Sequence, residues 1–314
     1  MKKTSFAPGT VGIAILLVFF GAIGYSSKAI FVKLAYRYEV DSVSLVALRM
    51  IFSLPFFLLA GWHSRRQKQT LELQLTPKRW GQLLLLGLSG YYVASLLDFW
   101  SLQYLSASLG RLILFTYPTM VLLLSAAFLG RRIGWAEAGA VLLSYLGIAL
   151  AFSHSVELNQ GPLFWRGVAL AFGSAFTFAI YLIGSGEYLP RMGTLRYNSL
   201  VMSIACFAII IHHGIFYHWA LFDFALPVYG YALGMALLAT VIPSFMVAEG
   251  IRRLGAGPAS IISSVGPIST IMLASVFLGE SFGHWQWLGA LLVIGGVLLL
   301  SFWKRKAGNV LEKK

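Results

Sequence analysis

Residues 11–34 read VGIAILLVFFGAIGYSSKAIFVKL, a stretch long enough to cross a bilayer as one helix, which takes about 20 residues. Runs like it recur along the whole chain. Bounded by charge, Pro/Gly or polar clusters, they fall at approximately 11–34, 43–62, 80–101, 107–129, 134–152, 163–186, 196–217, 228–249, 256–278 and 284–303. In lipid every backbone N–H and C=O must be paired inside the protein, so runs of this length fold as helices. A spanning barrel would instead show short alternating segments. Composition agrees: 58% of the residues are hydrophobic and 11% charged, too few charges to cover a water-soluble body of 314 residues. The expected fold is an all-α membrane protein with ten transmembrane helices.

The net charge of +13 would point to nucleic acid in a soluble chain. Its distribution excludes that partner and gives a topology instead. Lys2 and Lys3, then Arg65, Arg66, Lys68, Lys78 and Arg79, then Arg131 and Arg132, Arg191 and Arg196, Arg252 and Arg253, and the tail Lys304, Arg305, Lys306, Lys313 and Lys314 all fall on one side of a ten-span chain. The other side keeps Lys33, Arg37 and Arg166. Positive residues stay inside, so both termini are expected in the cytoplasm and the chain in the inner (plasma) membrane. The first run continues past Gly21–Gly24 to Ile30 and Phe31 with no cleavage-like site, so it is read as an uncleaved span rather than a signal peptide.

The chain also repeats itself. LSASLGRLILFTYPTMVLLLSAAFLG from Leu105 aligns without a gap to LGAGPASIISSVGPISTIMLASVFLG from Leu254, an offset of 149. Pro118 meets Pro267, Phe128-Leu129-Gly130 meets Phe277-Leu278-Gly279, Gly134 meets Gly283 and Gly147 meets Gly296. The halves expected from this are 1–152 and 163–303, joined by a linker at 153–162 and followed by a basic tail at 304–314. Five spans per half is an odd number, so the second half lies upside down relative to the first. Inverted repeats of this kind place a substrate near the midplane between the halves. Pro118 and Pro267 sit mid-span, where proline removes a donor and kinks a helix, either as gating hinges or as static packing kinks.

The two copies of Pro followed by a Phe-Leu-Gly ending resemble the EamA domain of the drug/metabolite transporter superfamily. The second copy, ending Phe277-Leu278-Gly279-Glu280, is the more typical; the first departs from it, with Arg131 where an acidic residue is usual. KAIFVKLAYRY, ALRMIFSLPFF and DFWSLQYLSASLGRLILFTYPT are similar to one bacterial branch of that superfamily. The resemblance implies a ten-helix inverted-repeat fold in the inner membrane and secondary transport of metabolites, usually export. It does not imply a substrate.

Ionisable residues inside spans cost about 2.5–3.5 kcal/mol each at a helix centre on insertion scales, so those present should face the bundle interior. Lys28, Arg49, Asp98 and Arg111 lie in the first four spans, and Glu249 at the end of the eighth. Asp98 and Arg111 are nearly equidistant from the hairpin around Gln103–Ala107 and so share a depth, which predicts that they pair, as a structural clasp or as part of a transport site. Lys28 and Arg49 are then left without an acidic partner. They either attract an anionic group of a substrate or snorkel to the outer interface. Asp98 and Glu249 are the candidate coupling carboxylates, Glu249 lying close to Arg252 and Arg253. The aromatics Tyr91, Tyr92, Trp100, Tyr117, Phe176 and Tyr181 are read as packing or interfacial anchors, some of which could line a cavity.

Other chemistry fits poorly. His212, His213 and His218 form a cluster placed at the outer interface, and six histidines are too few for a membrane di-iron enzyme. The single cysteine, Cys206, excludes disulfides and cysteine metal sites. GAIGYSSK lacks the ending of a phosphate loop, and no serine-hydrolase or zinc-protease motif occurs. No cofactor, metal or catalytic residue is expected. The reading is a secondary transporter, not an enzyme, exporting a small polar metabolite such as an amino acid or another carboxylate-bearing compound. A membrane-embedded enzyme acting on a lipid or lipid-linked metabolite, and a channel, are the alternatives.

Overall fold

The computed structural model describes residues 8–66, 76–130, 133–158, 162–254, 259, 262–263, 265–281 and 283–311. Among these, regular structure is helical throughout. The helices are α1 (Pro8–Tyr36), α2 (Ser42–Arg66), α3 (Pro77–Gly87), α4 (Ala94–Tyr104), α5 (Ala107–Leu114), α6 (Tyr117–Leu129), α7 (Trp135–Leu158), α8 (Pro162–Met192), α9 (Thr194–Phe216), α10 (Leu226–Ala236), α11 (Ile242–Leu254), α12 (Val265–Leu278) and α13 (His284–Leu311). Seven helical segments are long and apolar enough to cross a membrane, and Glu137–Ala151, Val265–Leu278 and His284–Leu299 are shorter apolar helices. Outward-facing positions such as Leu59, Leu85, Leu142 and Val276 are apolar and exposed, as a lipid-facing surface requires. This is an all-α, multi-pass membrane protein.

Two helices are not what a uniform apolar run predicts. α3 continues into α4 through a π-helical segment, Leu88–Val93, and α10 into α11 through another, Leu237–Val241. Here N–H groups reach back five residues, Ala94 to Ser89 and Ile242 to Leu237. The second lies just before Pro243, which has no N–H to continue an ordinary ladder. The π segments begin at Leu88 and Leu237, again 149 residues apart.

The fourth apolar run is broken rather than kinked at its proline. α5 stops at Leu114, Phe115 and Thr116 form a turn, and Pro118 lies in the first turn of α6. Proline is well tolerated there because its missing N–H would have had no helical acceptor. Pro267 lies in α12 close to residue 264, which is outside the described residues, with 262–263 also helical. The kink expected at Pro118 is thus displaced: Pro118 begins a helix instead of bending one. The positions expected to form a linker, 153–162, are helical as far as Leu158, with 159–161 outside the described residues. α13 runs through the expected tail to Leu311. Lys2, Lys3, Arg131 and Arg132 also lie outside the described residues.

Packing repeats the 149-residue spacing. α1 packs on α11 and α12, while α8 packs on α4 and α6; α2 packs on α9, and α7 on α13. In the last pair a Cβ on Gly147 would come within 2.6 Å of Gly289 O, and one on Gly296 within 2.7 Å of Ala140 O. Gly147 and Gly296 are 149 apart, as are Ala140 and Gly289, so the contact is reciprocal. Gly130 and Gly279 both end helices in the left-handed conformation, at φ 62° and 68°. Glu137 accepts from Gly134 N at 3.0 Å, and Gln286 from Gly283 N at 2.8 Å.

Candidate functional site

Midway along α1 the apolar run is interrupted by Tyr25-Ser26-Ser27-Lys28. These polar side chains are accommodated because α1 is surrounded by protein, with α10, α11, α12, α4 and α5 against it. Ser26 Oγ lies 2.8 Å from Ala22 O and 2.8 Å from Gly266 O, tying α1 to the start of α12. Gly24 permits close approach on the other side: a Cβ there would lie 2.8 Å from Leu238 O in the second π segment.

Lys28 Nζ meets Asp98 Oδ2 of α4 at 2.6 Å, with both side chains largely buried. Arg111 of α5 lines the same small cavity together with Tyr25, Ser26 and Leu114. Its Nη2 packs against Gly266, where a Cβ would lie 3.1 Å away, and its buried Nε has no hydrogen-bond partner. Asp98 therefore pairs with Lys28, and the clasp expected between Asp98 and Arg111 is not formed. Equal distance from a hairpin turn does not set the direction in which a side chain leaves its helix. α1 packs against both α4 and α5, and places Lys28 at the carboxylate. Arg111 remains within the electrostatic reach of Asp98 and of the Tyr25 and Tyr117 hydroxyls.

Arg49 of α2 is 4% exposed, so it does not snorkel to the interface. Its Nη2 donates to Ser95 Oγ at 3.0 Å and its guanidinium lies 5.0 Å from the centroid of Phe99, while Nε is buried without a partner. Lys28 feels the fields of Asp98, Arg49 and Arg111 together. Three cations thus surround one carboxylate. The cavity beside Lys28, Asp98 and Arg111 is about 10 Å³, enough for roughly one water molecule.

An aromatic floor adjoins the charges. Tyr91, Tyr117, Phe178 and Tyr181 meet at ring distances of 5.0–6.3 Å, and Tyr181 stacks on Tyr197, whose hydroxyl shares a 2.7 Å hydrogen bond with Ser185 Oγ. Gly90, in the first π segment, leaves the space that the Tyr181 ring fills. Glu249 lies apart from this site. It pairs with Arg253 Nε at 2.6 Å, one turn on in α11. Its neighbour Gly250 packs on Ala14 and Val18, ten or more residues before Lys28, or about 15 Å along α1. His213 is fully buried with Nε2 2.9 Å from Ser44 Oγ, and His212 Nδ1 lies 2.8 Å from Tyr92 OH. Among the described residues no group of His, Cys, Asp and Glu is arranged to hold a metal.

Tyr25, Ser26, Ser95, Phe99 and Gly266 were not singled out in the sequence. The signal was available for the first two, as a polar patch inside an apolar span; for Gly266 there was none, because its part is to be small.

The model of the EamA-like transporter family matches this chain twice, over residues 12–153 and 165–302. The chain belongs to the EamA-like transporter family. Among curated EamA-like relatives, an uncharacterized transporter of Bacillus subtilis, YcbK, is 28% identical over 316 residues, covering 98% of each chain. An uncharacterized inner membrane transporter of Salmonella typhimurium, YicL, is 25% identical over 305 residues, covering 95% of this chain and 96% of the relative. A protein of known crystal structure, 17% identical, superposes with a TM-score of 0.64 over 94% of this chain and 98% of its own, which establishes likeness of fold. Membership of the EamA-like family marks the chain as a membrane transporter.

Proposed function

We propose that this EamA-like protein is a ten-helix secondary transporter of the inner membrane, built from two inverted five-helix halves, that moves a small carboxylate-bearing metabolite by alternating access, export being the working direction and an amino acid the leading case. The reading of the halves is supported by the packing that recurs at 149 residues and by the double family match. With no ATPase motif in the sequence, the driving force is an ion gradient, exchange or the substrate's own gradient.

The observation that carries the substrate class is the buried excess of positive charge: Lys28, Arg49 and Arg111 around the single carboxylate of Asp98. An anion entering this site supplies the missing negative charge and acceptors for the unpartnered Nε atoms of Arg49 and Arg111. A guanidinium holds a carboxylate by two parallel hydrogen bonds, and a lysine adds a compact charge. If the substrate is an amino acid, its carboxylate takes over the cations while its ammonium replaces Lys28 beside Asp98. The cavity of about 10 Å³ is too small for such a ligand, so binding requires the helices to part. Pro118, in the first turn of α6 after the break at Phe115–Thr116, lies where such movement is least resisted, and Pro267 is its equivalent 149 residues on. Coupling is assigned to Asp98 rather than Glu249, because Asp98 alone of the two lies in the charged site.

The test is counterflow in liposomes, comparing a panel of amino acids with their amides. Transport of the acid with at least tenfold preference over the amide is expected, together with loss of that preference in Arg49→Gln and partial loss in Arg49→Lys. Equal transport of acid and amide would remove the carboxylate from the reading.

A further inference from the structure

Where α2 ends and α3 and α9 begin, the three helices do not close against one another. A cavity of about 340 Å³ opens between them, within the range of small-molecule sites, roughly 300–1,000 Å³. α2 and α9 are equivalents at the 149-residue spacing and pack on each other, so the two ends of their contact should be alike. They are not. At the cavity end stand Gly61, Ser199 and Ser203, whose equivalents at the other end are Ile210, Met50 and Leu54. Small side chains replace long ones, and the space left over is the cavity.

The walls are mostly apolar, and the cavity opens sideways: Leu58, Trp62, Trp80 and Phe207 line it and are exposed, on a surface that faces lipid. Ser199 is 1% exposed, and its hydroxyl is buried there without a hydrogen-bond partner. Arg196, three residues earlier, adds a cation to the lining. Along α9 the lining runs Arg196, Ser199, Ser203, Phe207, on one face of the helix and over about 16 Å. The order from the helix start inward is charge, hydroxyl, hydroxyl, phenyl ring. A phospholipid presents the matching order: phosphate, glycerol esters, acyl chain. Trp62 and Trp80 sit at the charged end, the depth that tryptophan takes at a membrane interface. Arg65 and Arg66 close α2 and Lys78 and Arg79 open α3, against the single acid Glu72 between them in sequence. Among the described residues no acidic side chain lines the cavity.

We propose that this cleft binds one anionic phospholipid of the leaflet at the basic end of the bundle. The phosphodiester pairs with Arg196, an ester oxygen accepts from Ser199 Oγ, and an acyl chain lies along Leu58 and Phe207. Basic pockets between transmembrane helices recognise anionic headgroups in this way. A zwitterionic headgroup would bring a second cation to a site that is already positive. The lipid bridges α2 and α3 to α9, and is separate from the charged centre at Asp98.

Native mass spectrometry of the whole chain in detergent tests this, with phosphatidylglycerol or phosphatidylcholine of the same acyl chains added. Retention of one phosphatidylglycerol in preference to phosphatidylcholine is expected. Arg196→Gln should weaken it about fivefold, the weight of one basic residue beside anionic lipid. Arg191→Gln, which removes an exposed arginine outside the cavity, should leave it unchanged. Ser199→Met/Ser203→Leu installs the side chains found at the other end of the contact and should abolish retention of the lipid. Wild-type retention in that filled variant would overturn the site, as would equal retention of the two lipids or equal effects of the two arginine changes. Soluble glycerophosphate carries the phosphate without the chains; displacement of the lipid by it would mark a free-phosphate site instead. Should the filled variant not fold, tryptophan quenching by phosphatidylglycerol with brominated chains decides. Its excess over brominated phosphatidylcholine should vanish in Trp62→Phe/Trp80→Phe, and an excess that persists would place the lipid elsewhere. None of these measurements involves transport, so the lipid site and the transport reading stand or fall separately.

Discussion

The Lys28–Asp98 pair holds together a site that is otherwise repulsive. With Asp98 in place, one of three buried cations is matched; without it, Lys28 is left under the fields of Arg49 and Arg111 alone. Removing one member of a buried pair strands the other, at a cost of roughly 3–5 kcal/mol, whereas replacing both by apolar side chains costs far less. Asp98→Asn should therefore lower the melting temperature of the purified protein clearly, and Lys28→Met/Asp98→Leu should recover most of the loss. A double variant no more stable than Asp98→Asn would show that the two residues do not act as a pair. Arg49 differs in kind: Ser95 and the face of Phe99 stabilise its charge without neutralising it, which leaves the charge available to a ligand.

Among the helices, the tightest association joins α7 and α13 through glycines. A Cβ at Gly289 would collide with Gly147 O and come within 2.8 Å of Ala151, atoms of the facing backbone that cannot rotate away. Without water to drive apolar faces together, helices in lipid rely on such close contact. Gly289→Val should cost roughly 1–3 kcal/mol or more through overpacking. Gly139, also on α7, has open space where its Cβ would be, so Gly139→Ala should be neutral or stabilising by up to about 1 kcal/mol. Thermal unfolding of both variants in detergent checks this; equal stability of the two would mean that α7 and α13 do not meet at these glycines. The interrupted helices have the opposite character. The turns at Leu105-Ser106 and Phe115-Thr116 leave α5 a helix of eight residues held by its two ends, suited to moving as a unit.

At the scale of the whole molecule, the surplus of Lys and Arg on one set of connections determines the expected orientation. A cysteine at Phe222, which is 85% exposed between α9 and α10, should react with a membrane-impermeant reagent from outside intact cells in a Cys206→Ala background. Labelling from the cytoplasmic side alone would reverse the topology. The same orientation puts the four charges of the site in the outer half of the bilayer. Their equivalents 149 residues on are Thr177, Asn198, Val247 and Ser260, all uncharged. The 149-residue correspondence therefore does not extend to the four charges of this site.

The sequence by itself determined what depends on distance along the chain. Apolar runs of bilayer length had to be helices, because the backbone has no other way to be satisfied in lipid. The 149-residue spacing was legible from Pro118, Pro267 and two Phe-Leu-Gly endings, and it recurs in the π segments and in the glycine contacts of α7 and α13. The depth of Lys28, Arg49, Asp98 and Arg111 followed from a rise of about 1.5 Å per residue, and that was enough to bring the four together as candidates. Tertiary structure decided what depends on rotation about a helix axis and on neighbours remote in sequence. It chose Lys28 over Arg111 as the partner of Asp98, turned Pro118 from a kink into the start of α6, buried His213 against Ser44, and carried Glu280 across more than half the chain to α5. No local pattern encodes those choices, because each is settled by which helix faces meet when apolar runs of similar composition pack together.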